Sequence, residues 1–181
     1  VRRISEMAHA SGKQVGVRVP CVERVCDSQG FEIRTWLNEG LVDYVVPMMY
    51  ANLKLDTQMP IDWIIEAAQD ADVSVYGMLQ PFVEKGYPGH GYDEHFTPEE
   101  MRAAASNFLA KGADGLYTWF LDWPLGHTER SMLTEIADPE LMKQADKHYI
   151  LPRRAETVAG WGYDATLALE IPEADPDKRY S

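Results

Sequence analysis

The sequence predicts an α/β protein built on a parallel sheet, and three observations predict it. Four apolar, β-rich runs recur, at residues 14–20, 42–50, 73–82 and 115–122. Each is followed by a loop and then by a segment with helical spacing of apolar residues, and this alternation implies parallel strands with helices packed over them. The run Leu41-Val-Asp-Tyr-Val-Val-Pro-Met-Met-Tyr50 is apolar almost throughout, as a strand covered on both faces must be. In such sheets chemistry collects at the carboxyl ends of the strands. The loops after Pro20, Tyr50, Phe82 and Asp122 are therefore where function should be sought.

Each element has its own justification. Residues 2–11 read as a helix, and Gly12 stops it where a left-handed residue is favoured. Residues 14–20 read as a strand in which Gly16 permits close approach of a neighbour. Residues 21–30 read as loop. Phe31, Ile33, Trp36 and Leu37 give residues 31–38 mixed three- and four-residue spacing, a short helix closed by Gly40. Pro60 opens the helix expected over 60–71, whose buried stripe is Ile61, Ile64, Ile65 and Ala68. Residues 73–82 form the third strand, and a long Gly- and His-rich loop is expected from Val83 to Phe96. Thr97-Pro-Glu-Glu100 is a capping box with proline in the first turn. It starts a helix over 98–111 that ends at Gly112. Residues 115–122 form the fourth strand, and 128–149 are helical with an interruption at Asp138-Pro139. From Leu151 the chain turns polar, with one strand-like run at 166–171 and an acidic tail. Residues 151–181 are read as a linker and the beginning of a β module, and residues 1–150 as the α/β unit.

Length and charge narrow the function classes. A chain of 181 residues supports one sizeable core but falls short of a complete eight-stranded β/α barrel, typically roughly 250 residues. The net charge of −12 repels phosphate backbones and argues against a nucleic-acid partner. No apolar run approaches the ~20 residues that span a bilayer, so no membrane partner is expected. Cys21 and Cys26, five residues apart, form neither a zinc pattern nor a disulfide framework. The sequence opens on Val rather than Met, in mid-pattern, and reads as a fragment or a processed chain.

Two segments carry a family resemblance. Trp36-Leu-Asn-Glu-Gly-Leu-Val-Asp-Tyr-Val-Val-Pro-Met-Met-Tyr50 and Lys111-Gly-Ala-Asp-Gly-Leu-Tyr-Thr-Trp-Phe120 resemble the late strands of glycoside-hydrolase-like TIM barrels related to family 10. Glu135-Ile-Ala-Asp-Pro-Glu140 with Lys147-His-Tyr149 is similar to the helix that closes such barrels before a β domain. The resemblance covers residues 1 to about 150. It implies the C-terminal half of a (β/α)8 barrel, strands five to eight, followed by the start of a β domain. It also implies a carbohydrate-active protein, a glycoside hydrolase working by carboxylate acid/base catalysis on an oligo- or polysaccharide. Such a half-barrel has open sheet edges, so its missing N-terminal half or a second copy is an expected partner.

Glycoside hydrolysis needs two carboxylates flanking the scissile bond. In the best-known sugar-cleaving barrels these are Glu residues at the ends of strands four and seven. The former would lie upstream of Val1. The latter position is near Gln80, and an amide cannot serve as nucleophile. Within this chain the catalytic candidates are Asp122 and Glu84. Asp122 lies between Leu121 and Trp123 at a strand end, where aromatic surroundings raise a carboxyl pKa and suit a general acid. It could equally cap a helix or pair with Arg18. Glu84 lies just past the third strand, beside Lys85, and could instead be a solvated loop residue. The substrate-binding candidates are Arg18, Tyr50, Gln80, Trp119 and Trp123. Aromatic rings offer flat faces to sugar C–H groups, or else pack in a core. Arg18, a charge inside an apolar strand, must be paired or must line a cleft. Asp43 and Asp114 precede their strands and belong to the stability face.

Two rival readings exist. A non-catalytic saccharide-binding barrel is favoured by Gln80. A metal-dependent hydrolase would need ligands from His90, Asp93, His95 and His127. Metal-dependent barrels usually anchor their ligands on strands, so neither a metal nor any other cofactor is predicted.

Overall fold

The structure, a computed structural model, describes residues 1–49, 55–85, 92–119 and 124–150. Helix α1 (Arg2–His9) leads into β1 (Gly16–Pro20), and α2 (Glu23–Ser28) and α3 (Ile33–Asn38) lead to β2 (Tyr44–Met48). Helix α4 (Asp62–Ala68) precedes β3 (Ser74–Leu79). Two short strands, β4 (Phe82–Lys85) and β5 (Tyr92–His95), come before α5 (Pro98–Lys111) and β6 (Gly115–Thr118). Helices α6 (His127–Ile136) and α7 (Pro139–Gln144) are the last elements, and residues 145–150 continue without regular structure.

Strands β1, β2, β3 and β6 form one parallel sheet in that order. Among the described residues the order never reverses, so these four strands contain no switch point of the kind found in a doubly wound sheet. Successive parallel connections share one hand, and a one-directional order therefore places the crossover helices on one face. The packing agrees. A Cβ added to Gly77 of β3 would meet the Phe108 ring of α5 at 2.6 Å, so α5 lies directly on that strand. Phe108 is fully buried and sits among Ala103, Ala104 and Ala105, whose small side chains let the helix approach.

The opposite face is built differently. The Tyr44 ring covers Gly16, its register partner, and the Tyr76 ring covers Gly115, its own partner. The two tyrosine rings meet edge to face at 5.7 Å. Each glycine provides the room that a large neighbouring ring needs on the same face. By strand alternation Arg18, Tyr117 and Trp119 point to this side as well.

Local chemistry accounts for the element ends. In α5 the Thr97 hydroxyl accepts the Glu100 N–H at 3.3 Å and the Glu100 carboxylate accepts the Thr97 N–H at 2.8 Å. Gly112 stops the helix with φ of 101°. Asp138 caps α7 by accepting from the Glu140 and Leu141 N–H groups. At the amino ends of the strands one device occurs twice. The Asp43 N–H donates to the Val15 carbonyl while its carboxylate accepts the Val15 N–H. Asp114 does the same with Val75. Both aspartates therefore clasp the neighbouring strand, in the structural role expected of them.

Four sequence expectations need correction. The segment expected to be helical over 128–149 ends its last helix at Gln144. Residues 83–96 are not simply a loop: β4 and β5 pair antiparallel, from Phe82 with His95 to Lys85 with Tyr92. Residues 73–82 are not one strand, because the ladder to β6 ends at Leu79, before Gln80 and Pro81. Proline has no N–H to continue it. Residues 21–30 contain the helix α2, anchored by fully buried Cys26, whose thiol donates to the Pro20 carbonyl.

Candidate functional site

The carboxyl ends of the strands bring two of the expected residues together. The Arg18 guanidinium carbon lies 4.3 Å from the centre of the Trp119 ring, within the range of a cation–π contact. Arg18 belongs to β1 and Trp119 follows β6, the two outermost strands. In a flat sheet these strands would stand about 14 Å apart, three spacings of nearly 5 Å. Register separates the two residues further along the strand axis, because Tyr76 pairs with Gly115, four residues before Trp119. Their contact therefore requires the sheet to curl toward the face opposite α5. That face is concave, with exposed Arg18, half-buried Trp119 and Tyr117, which is 43% exposed, on it.

Gln80 lies at the tip of the third strand, as expected, but its role differs. Its side chain is buried, at 1% exposure. The carboxamide oxygen accepts the Met49 N–H at 3.1 Å and the amide nitrogen donates to the Met49 carbonyl at 2.9 Å. Strands β2 and β3 pair at only two positions, Tyr44 with Ser74 and Val45 with Val75. The Gln80 amide thus replaces a peptide group in the ladder where the strands have parted. This corrects its placement among the sugar-contacting residues: both polar ends of the amide are committed to the backbone.

The remaining expected residues divide by position. Tyr50, Asp122 and Trp123 lie outside the described residues. The Glu84 backbone is in β4, paired with Asp93 of β5, so Glu84 belongs to a hairpin beyond the tip of β3 rather than to a loop. Of the histidines considered as metal ligands, His90 is outside the described residues and His127 opens α6. The His95 ring packs at 4.5 Å from that of Phe96 and at 5.8 Å, edge to face, from that of Phe82. Among the described residues no three His, Cys, Asp or Glu side chains converge as a metal site.

Sequence reasoning missed a second concavity. A cavity of about 300 Å³ opens beside α2, α3 and α4, lined by residues that include Glu23, Cys26, Asp27, Arg34 and Trp63. The Arg34 guanidinium holds Glu23 through two nitrogens, at 2.5 and 3.2 Å, and faces the Trp63 ring at 5.9 Å. The Trp63 indole N–H donates to the Cys21 carbonyl at 2.7 Å. Burial, followed by the neighbouring Asp27 and Glu23 charges, pushes the Cys26 thiol up to about 11. A thiol so protonated is a poor nucleophile. Among the described lining residues, then, the Arg34 cation is paired and the Cys26 thiol is held protonated. The four-residue spacing of Val22 and Cys26 was the available signal for α2. A larger cavity, about 450 Å³, lies near Asp114 and Gly115, at the amino end of β6 where stability rather than chemistry resides.

Compared with family models and with curated proteins, the sequence matches none. The described residues define an α/β protein with a singly wound, curled parallel sheet.

Proposed function

We propose that this chain is the C-terminal half of a (β/α)8 barrel, and that it binds a saccharide on the concave face at the carboxyl ends of its strands. The sequential parallel order, the placement of α5 on one face and the curl toward the other support the barrel reading. So do the edges: among the described residues β1 pairs only with β2, and β6 only with β3. Four further strands, from the N-terminal half or a second copy, would close the sheet, as eight strands do around a filled interior. The observation that carries the saccharide reading is the Arg18–Trp119 pair. It sets an indole and a guanidinium together on a concave, half-exposed surface, the combination of apolar face and polar donors that sugar rings require.

In this reading the protein is a glycoside hydrolase. Asp122 or Glu84 supplies one carboxylate, and the missing strands supply the other. A second reading, a non-catalytic saccharide-binding protein, is favoured by Gln80, which holds the strand-tip position with an amide bound to Met49.

Titrating the chain with soluble oligosaccharides, followed by tryptophan fluorescence, tests the proposal. Binding should saturate, and Trp119→Ala should weaken it by tenfold or more, about 1.4 kcal/mol. Full affinity in that variant would remove the concave face as the site. In the complete barrel, with its other four strands present, release of reducing ends that disappears in Asp122→Asn or Glu84→Gln identifies the hydrolase, whereas binding without release identifies the binder.

A further inference from the structure

We infer that the saccharide is acidic, a uronate-containing oligosaccharide whose carboxylate docks on Arg18; this rests on the reading of the concave face as the sugar site. Arg18 is a strand residue with apolar neighbours on either side, Val17 and Val19. Among the described residues it forms no hydrogen bond and no ion pair, and its partner is the Trp119 ring alone. Other arginines are arranged differently. Arg2 holds Glu39, Arg34 holds Glu23, and Arg102 sits between Glu99 and Glu135. In a chain with 29 acidic and 17 basic residues, carboxylates are abundant, yet none of those described is placed against Arg18.

The geometry of the contact says what is missing. The ring lies against the cation, and among the described residues no group takes the guanidinium's N–H donors. Those donors form a planar fork that matches a carboxylate in two parallel hydrogen bonds. A neutral sugar offers hydroxyls, which fill the fork one donor at a time and gain less from its charge than an anion does. A uronate places the matching anion on the rim of a ring whose C–H face can lie against the aromatic surface beside it. The net charge of −12 disfavours anions at long range, so recognition of an acidic ligand has to come from a local cation, and Arg18 is a cation on this face.

The test uses the intact chain with oligogalacturonate and oligoalginate, the methyl esters of both, and neutral oligosaccharides of equal length. The acids should bind at least tenfold more tightly than their esters. Arg18→Gln should reduce that ratio to about one, by weakening the acids at least tenfold more than the esters. Arg18 is exposed, so the variant should keep the wild-type melting temperature and far-ultraviolet dichroism. Equal affinity for acids and esters, with neutral or esterified sugars bound, overturns the acidic assignment and leaves the saccharide reading standing. Acid preference that survives Arg18→Gln also overturns it. No binding of any of these sugars overturns both.

Discussion

Gln80 and Asp43 show how single polar side chains hold this sheet together at its two ends. Gln80 satisfies both backbone groups of Met49 in a buried position. Its truncation to Ala orphans a donor and an acceptor, each costing about 1–3 kcal/mol. Gln80→Ala should therefore lose at least about 2 kcal/mol in urea unfolding, and a change below about 0.5 kcal/mol would contradict this structural role. Asp43 works at the other end. Burial pushes its carboxyl up, but the Val15 N–H and His9 at 3.0 Å more than offset this and leave it below the ordinary carboxylate range. A depressed folded-state pKa contributes stability above the unfolded value, near 3.9, and that stability is lost as pH falls through the folded value. The stability advantage of wild type over Asp43→Asn should thus be full near neutrality and shrink below about pH 4. An advantage that grows on acidification would have the wrong sign.

At the scale of elements, the α5–β3 contact is the tightest joint. A Cβ at position 77 would lie 2.6–2.7 Å from Phe108 atoms that include Cβ and Cγ, which cannot swing aside as a chain end could. Gly77→Ala should destabilise by about 1–3 kcal/mol through overpacking. Phe108→Leu in the same chain should recover part of that loss in a double-mutant cycle, and strict additivity would deny the contact. Much of this level could be read from the sequence. The Thr97-Pro98 start and Gly112 stop of α5 are chemical signals that act locally, and so is the Asp138-Pro139 break between α6 and α7. The β4–β5 hairpin was hidden because residues 86–91, Gly-Tyr-Pro-Gly-His-Gly, dominate the composition around two four-residue strands. Helix α2 spans only six residues and offers one apolar repeat. The Arg18 and Trp119 candidates followed from the strand-tip rule. The role of Gln80 did not, since it depends on where β2 and β3 stop pairing, and that register is a tertiary property.

For the whole molecule, the account is of a sheet curled but not closed within the described residues. Besides the outer strand edges, α1 exposes Ile4 and Met7, at 66% and 65%, while Ser5 is its buried residue. Exposed apolar side chains one turn apart, together with strand edges that are unpaired among the described residues, favour association. Sedimentation equilibrium of the chain alone should give a mass that rises with concentration; a constant monomer mass that binds no hydrophobic dye would count against the open half-barrel. The central claim, that the concave face takes the sugar, is tested most directly by two-dimensional NMR of the five tryptophan indoles during oligosaccharide titration. The account predicts that the Trp119 indole and the Arg18 side-chain resonances shift together and saturate, while Trp63 and Trp36 on the helical side stay in place. Saturating shifts at Trp63, beside the Arg34–Glu23 cavity, with Trp119 unmoved, would contradict it.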